Sequence, residues 1–264
     1  MTASTITLTT DFGLTDHYVG TMKGVLRTRA PHAQLVDISH SIPAFSIHAG
    51  AYAIAQAAPY FPAGTVHLVV IDPGVGSARR GLLACVDEQR FVAPDNGVLS
   101  LVAANARAKP KFFELTNRTL WATAPSATFH GRDIFAPVAA ALAMGAEASQ
   151  VGPEITDPAL LADLAVSQNG NGRWQGIVLS IDHFGNVITN FPASEFAGLL
   201  RNFAFRAGGG EVTVLHSTFS DGLPGVCFAY SGSSGFIEFG MNRGRASDYL
   251  LLRAGDAVSL QIAG

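Results

Sequence analysis

Residues Leu68 to Arg80 read LVVIDPGVGSARR, and the fold turns on that stretch. Four apolar residues, Leu68 to Ile71, lead into Asp72, and Pro73, Gly74 and Gly76 then break the run. A short apolar run closed by turn residues predicts a buried strand ending in a sharp turn. In open α/β sheets, ligands bind just beyond the carboxyl ends of the strands. Asp72 falls there, Arg79 follows in the same loop, and the glycines let backbone approach a ligand closely. The plainer alternative is an Asp-Pro-Gly turn followed by two surface arginines. On this stretch alone both stay open.

Working outward, Thr5 to Thr9 (TITLT) alternates β-branched and apolar residues and predicts a first strand. It runs into TDFGLTDHYVG, where Asp11 and Asp16 bracket a glycine turn and a helix is expected from Tyr18 to about Arg29. Neither GxGxxG nor GxxxxGK[ST] is present, so a dinucleotide fingerprint and a P-loop are both excluded. Further strands are expected at Gln34–Ile38, Thr65–Ile71, Gly81–Val86, Phe91–Ala93 and Phe112–Leu115. Helices are expected at Ile47–Tyr60, Leu99–Asn105 and Asp133–Met144. Strands alternating with helices predict an N-terminal α/β domain built on a mostly parallel, covered sheet.

The pattern changes after Gly145. Pro153, Pro158 and the stretch QNGNG mark a boundary, giving a first domain at 1–155, a linker at 156–173 and a second domain at 174–264. There the expected strands are short and turn-separated: Gln175–Ile181, Val187–Thr189, Glu211–His216, Val226–Tyr230, Phe236–Phe239 and Ala257–Ile262, with a short helix at Ala193–Leu200. Such spacing predicts a smaller antiparallel β-barrel-like or sandwich domain.

Composition narrows the function classes. Of 264 residues, 48% are hydrophobic and 14% charged, which supports full cores and excludes a disordered chain. A net charge of -3 gives no bulk attraction to nucleic acid or to an anionic membrane. No apolar run approaches the roughly 18 to 20 residues that span a bilayer. The N-terminus lacks a basic segment followed by an apolar core, so no secretory signal is expected. Cys85 and Cys227 lie far apart in apolar runs, which suits buried reduced thiols and a cytoplasmic location. Low charge with many Ala and Gly residues hints at surface buried in an oligomer.

Asp11 and Asp16 at a strand end suit a ribose diol, an ammonium group or a metal; Asp16 equally suits a helix N-cap. His130, ahead of GRD at a helix start, can join a carboxylate and an arginine to orient and polarise a water. No HExxH, CxxC or paired-histidine spacing supports a metal site. In SIDHFGNVITN, Asp182, His183, Phe184, Gly185 and Asn186 suit a hairpin turn. Tyr230 to Gly244, YSGSSGFIEFGMNRG, suits a hairpin whose hydroxyls and N–H groups can hold a carboxylate or a purine edge.

TTDFGLTD, DISHSI, IDPGVGSARR, APDNG, TFHGRDIFAP, IDHFGNVITN and FGMNRG fall in one order along nearly the whole chain. Together they resemble the S-adenosyl-L-methionine (SAM) hydroxide adenosyltransferases, or SAM hydrolases, relatives of the SAM-dependent fluorinase and chlorinase. The resemblance implies hydrolysis of SAM at ribose C5′ to adenosine and L-methionine, with SAM as substrate and neither cofactor nor metal. It implies a larger α/β domain, a smaller barrel-like domain and a homotrimer with active sites between subunits. It assigns Asp72, Arg79 and His130 to holding and activating water, and Asp11 to the ribose hydroxyls. Asp16, Asp182 and Ser233 go to the methionine end, Asn186 to the adenine edge, and Phe45 and Phe184 to the pocket lining. Ser234 and Met241 stand where the fluorinase has arginines, and its insertion is missing between Val86 and Phe91. A SAM halogenase and a non-catalytic SAM- or adenosine-binding protein are the alternatives.

Overall fold

The computed structural model describes residues 4–170 and 172–262. Residues 1–3 of the N-terminal stretch and Asn171 of the QNGNG boundary lie outside the described residues. The chain forms two compact units, Met1–Leu161 and Ala162–Gly264.

The first unit runs β1 (Thr5–Thr10), α1 (Tyr18–Arg29), β2 (Gln34–Ser39), α2 (Ile47–Ala57), β3 (Val66–Val70), β4 (Gly81–Val86), β5 (Gln89–Pro94), α3 (Ser100–Ala104), β6 (Lys111–Glu114), α4 (Ala136–Ala143) and β7 (Glu154–Ile155). Its sheet has the order β2-β1-β3-β5-β4-β6-β7. β2, β1, β3 and β5 pair in parallel. β4 is antiparallel to β5 and β6, and β7 to β6, so only β4 and β7 oppose the other strands. This is the expected mostly parallel sheet. All five residues of β3 are buried, which explains why VHLVV reads as a nearly continuous apolar run rather than an alternating one. His67 fits inside it as a neutral residue: Nδ1 lies 2.7 Å from Thr7 Oγ1, its ring stacks on Phe91, and burial pushes its pKa down to about 4.

α1 buries Val19, Met22 and Leu26, one stripe at helical spacing. Its N-cap is His17 and no side chain caps it, so Asp16 is not the cap that its position suggested. α2 is capped by Ser46, whose side chain accepts from the Ala49 N–H. The helix expected from Asp133 opens instead as a wide π-turn over Gly131–Phe135 before α4. Pro137 supplies the reason: it has no N–H to give the Asp133 carbonyl four residues back. That carbonyl accepts the Ala122 N–H instead, at 2.8 Å.

The second unit runs β8 (Ser167–Gln168), β9 (Arg173–Ile181), β10 (Val187–Pro192), α5 (Ala193–Phe196), β11 (Phe203–Ala207), β12 (Gly210–Val212), β13 (Cys227–Ser231), β14 (Phe236–Met241), α6 (Ala246–Leu250) and β15 (Ala257–Ile262). The order β12-β11-β15-β9-β10-β14-β13 is antiparallel throughout, with β8 beside β9, and the sheet is barrel-like. Phe191, Phe196, Phe205 and Phe239 fill its core, with Phe191 edge-on to both Phe196 and Phe205. The strand expected at Glu211–His216 is corrected: a hairpin of β11 and β12 stands there, and the chain leaves it after Val212. Gly208, at φ 55°, makes the turn, and a Cβ there would run into the Leu250 carbonyl oxygen.

Burial raises the thiol pKa of both cysteines, that of Cys227 to about 11, and neither is in a disulfide. No helix among the described residues is long and apolar enough to cross a membrane.

Candidate active site

Asp72 lies just past the carboxyl end of β3, where the chain turns back on itself. The Val75 N–H bonds the Asp72 carbonyl, and both the N–H and the hydroxyl of Ser77 bond the Gly74 carbonyl. Gly76 sits at φ 80°, and a Cβ there would meet the Ala127 carbonyl oxygen at 2.7 Å. Only glycine satisfies both the conformation and the contact. The turn therefore stands against the segment leading to His130, and it carries Arg79 back onto Asp72.

The Arg79 fork then engages the carboxylate twice. Nε donates to Asp72 Oδ1 at 2.8 Å, and Nη2 pairs with Oδ2. Nη2 also lies 2.7 Å from Nδ1 of His130, and the guanidinium stacks over the Phe135 ring at 5.1 Å. The Arg79 and Asp72 side chains are 10% and 5% exposed, which overturns the surface-arginine reading for Arg79. Arg80 faces elsewhere, pairing with Asp95 and Asp157.

This geometry fixes a tautomer. A guanidinium has only donors, so Nδ1 of His130 must accept and the imidazole proton sits on Nε2. Burial and the neighbouring Arg79 charge lower the His130 pKa, while Asp72 and Asp133 oppose them. The ring is a neutral N–H donor.

Asp11 follows β1. Its Oδ2 accepts the Phe45 N–H at 2.8 Å, and Phe45, 71% exposed, holds the left-handed conformation, φ 66°. Strained backbone of this kind collects at ligand sites. Burial raises the Asp11 carboxyl pKa, the Phe45 N–H opposes the shift, and the Asp72 charge adds to it, so the two carboxylates feel one another. His40 braces the loop from behind: its Nδ1 meets Thr10 Oγ1 at 2.8 Å and its carbonyl accepts the Gly13 N–H at 2.7 Å. Phe12 and Tyr18 pack edgewise on Phe129, joining this loop to the His130 segment. Asp16 lies exposed in the same loop.

In the second unit, Asp182 and Asn186 close the turn between β9 and β10. Asp182 Oδ1 accepts the Asn186 N–H at 2.8 Å and Oδ2 accepts its Nδ2 at 2.7 Å. Gly185 takes φ 85° in that turn, and Phe184 is 72% exposed. Ser233 is exposed in the turn between β13 and β14. Beside it, Ser234 and Tyr230 donate to Glu238, a carboxylate 7% exposed. Met241 is buried in the core of the second unit.

Of the residues singled out from sequence, Asp72, Arg79 and His130 meet directly, and Asp11 with Phe45 forms a second pair at the same end of the sheet. Sequence reasoning missed Phe135, whose only signal was a position in the apolar run after GRD, and Asp133. A cavity of about 310 Å³, lined by Arg79, Arg80, Trp121, Ser126, His130 and Phe135 among others, adjoins the cluster. A larger one of about 450 Å³, at the β4–β5 hairpin, includes none of the cluster's side chains.

An α/β unit presenting a paired carboxylate, a guanidinium and a neutral imidazole beyond its strand ends, followed by a barrel-like unit, belongs to the class of two-unit enzymes acting on a small molecule. The models of the SAM hydroxide adenosyltransferase N-terminal and C-terminal domains match residues 6–152 and 176–259. The chain belongs to the SAM hydroxide adenosyltransferase family. It is 40% identical over 254 residues to an (R)-S-adenosyl-L-methionine hydrolase of Salinispora tropica, covering 95% of each chain. A fluorinase of Actinoplanes sp. is 26% identical over 288 residues, with 97% of this chain and 96% of that one covered. Among solved structures, an uncharacterized conserved protein of Thermotoga maritima superposes with a TM-score of 0.86 at 36% identity, covering 97% of this chain and 99% of that one.

Proposed function

We propose that the chain hydrolyses SAM, with water attacking ribose C5′ and adenosine and L-methionine released. The observation that carries the reading is the convergence of Asp72, Arg79 and His130 on one spot. The greater identity to the hydrolase than to the fluorinase supports it against a halogenase.

The chemistry suits the cluster. The bond from oxygen to C5′ forms as the bond from C5′ to sulfur breaks, and the electron pair leaves on a neutral thioether. Hydroxide-like attack on a sulfonium destroys charge, which a site shielded from water favours. Bulk water, with a pKa of about 15.7, is a poor nucleophile and must lose its proton as it attacks. His130 cannot take that proton in the tautomer described, because Nδ1 is occupied and Nε2 carries hydrogen. It donates to the water oxygen and turns a lone pair toward carbon. Asp72 keeps free lone pairs and accepts the proton, while Arg79 stabilises the developing negative oxygen. The catalytic set is then Asp72, Arg79 and His130.

In this reading Asp11 takes the ribose hydroxyls, and Phe45 and Phe184 offer aromatic faces to the adenine or the sulfonium. Asp16, Asp182 and Ser233 serve the methionine end and Asn186 the adenine edge. Losing a charged-acceptor contact costs about 1.5 to 3 kcal/mol. Asp11→Ala should therefore weaken adenosine binding roughly ten- to a hundredfold, measured by calorimetry. Unchanged affinity in the folded variant removes Asp11 from this role.

The organisation proposed to carry this activity is a domain at 1–155, a linker at 156–173 and a domain at 174–264, in a cytoplasmic homotrimer with sites between subunits. Sedimentation as a monomer at micromolar concentration counts against the trimer, and a first proteolytic cut outside the linker counts against the boundary. Incubation with SAM in halide-free buffer, followed by chromatography, should yield adenosine in step with methionine. Folded protein that binds SAM and releases no adenosine is a binding protein, and the hydrolytic reading then fails.

A further inference from the structure

We propose that Asp133 is the positioning residue of the cluster: it fixes where the His130 segment meets the Arg79 turn, and it keeps a negative charge beside the imidazole. The inference takes from the hydrolytic reading what the cluster does, and from geometry alone how the cluster is held.

Asp133 is 4% exposed and pins the chain at two points ahead of His130. Its carbonyl accepts the Ala122 N–H, the bond that Pro137 leaves open. Its Oδ2 accepts the Ser126 N–H at 2.8 Å. The carbonyl of the following residue, Ala127, is the one to which a Cβ on Gly76 would come within 2.7 Å. The backbone at Ser126 and Ala127 is thus a wall: the turn carrying Arg79 leans on one side and Asp133 holds the other. If Ser126 moves, Ala127 and His130 move with it, and the 2.7 Å contact between Arg79 and His130 opens.

The same carboxylate works electrostatically. Arg132 grips it with Nε at 2.6 Å and Nη2 at 2.8 Å, which holds the carboxyl below its usual range and keeps it charged. Arg132 is itself steadied over the Phe129 ring at 5.0 Å. His130 faces Arg79 and Asp72 from the turn and Asp133 from its own segment, while Arg80 and Glu114 line the cavity that it also lines. Arg79 disfavours the imidazolium, and Asp72 and Asp133 favour it. Removing Asp133's charge and removing Arg132's charge should therefore move the His130 titration in opposite directions.

The experiment uses the full chain in two variants, Asp133→Asn and Arg132→Gln. The imidazole titration of His130 is followed by NMR, its resonance identified with His130→Gln, and steady-state kinetics are measured on SAM. In Asp133→Asn the His130 midpoint should fall. Its kcat should drop roughly tenfold with KM held within about twofold, the pattern of a misplaced catalytic group rather than a lost substrate contact. In Arg132→Gln the midpoint should rise. A role in stability alone lowers Tm and leaves both midpoints still, and that result overturns the proposal. So does a folded Asp133→Asn with wild-type kcat. If Asp133→Asn does not fold, the Arg132→Gln midpoint decides. If the wild-type chain makes no adenosine, the hydrolytic reading fails while the two midpoints still judge Asp133.

Discussion

Asp72→Asn should bind SAM nearly as well as the wild-type chain and release adenosine slower by roughly 10²-fold or more. The substitution keeps the shape and removes the charge. Two things follow at the site. The Arg79 fork, which engages both carboxylate oxygens, meets one amide oxygen and one N–H, so Nε or Nη2 loses its acceptor. The attacking water also loses the one group in the cluster able to take its proton, because His130 presents N–H. In the proposed reading, ground-state binding rests on Asp11 and the aromatic faces, so affinity should stay. Removing one partner of a buried ion pair costs stability, up to about 3 to 5 kcal/mol, which makes a thermal melt the necessary control. Calorimetry gives the SAM affinity, and single-turnover release of adenosine gives the chemical step. The carboxylate also bears on halide, since a negative group beside the nucleophile position repels it. Full activity in Asp72→Asn, or 5′-halo-adenosine as the main product of the wild-type chain, would defeat the assignment.

The sequence was informative where a local rule decides structure. Thr5–Thr9 alternates, Val19, Met22 and Leu26 share a helical stripe, and Leu68–Ile71 is an apolar run stopped by Pro73, so β1, α1 and β3 could be located. Local rules fail at β11, where FAFRA runs straight into a glycine turn and the strand signal in the sequence falls after the glycines. They failed at α6, whose five residues are too few to show a period. They failed at Asp16, one residue short of the actual cap. At the site, residue types could be nominated but meetings could not. Arg79 and His130 are 51 positions apart, and the order β1-β3-β5, the Gly76 turn and the Asp133 strut all act to bring them together. The tautomer was beyond sequence altogether, because it depends on which atom of Arg79 faces which nitrogen. It changes the chemistry: a histidine free to relay a proton becomes one that can only donate.

Arg79→Lys keeps the positive charge and should still lower kcat by roughly 10²-fold or more, with little change in KM. The guanidinium serves several neighbours at once: Nε and Nη2 on Asp72, Nη2 on His130, Nη1 on the Arg80 carbonyl, and its face on Phe135. An ammonium is a point with three donors and no plane, so it cannot reproduce the fork or the stack. Hydrogen bonds involving a charged group contribute about 1.5 to 3 kcal/mol each. At about 1.4 kcal/mol per tenfold in rate, two such bonds lost from the reacting geometry give that factor. The charge itself, screened by Asp72, is the smaller part. His130 is the second readout. In the wild-type chain the imidazole must be neutral and its pKa is depressed, so activity should hold through neutral pH and fall only as pH drops through that lowered value. In Arg79→Lys, Nδ1 loses its fixed donor and the ring is free to protonate against Asp72. The acid limb of kcat should then move up in pH. A lysine variant with kcat within about threefold of wild type and an unmoved acid limb would show that charge alone suffices, and that the fork, the stack and the tautomer they impose are not what makes the site work.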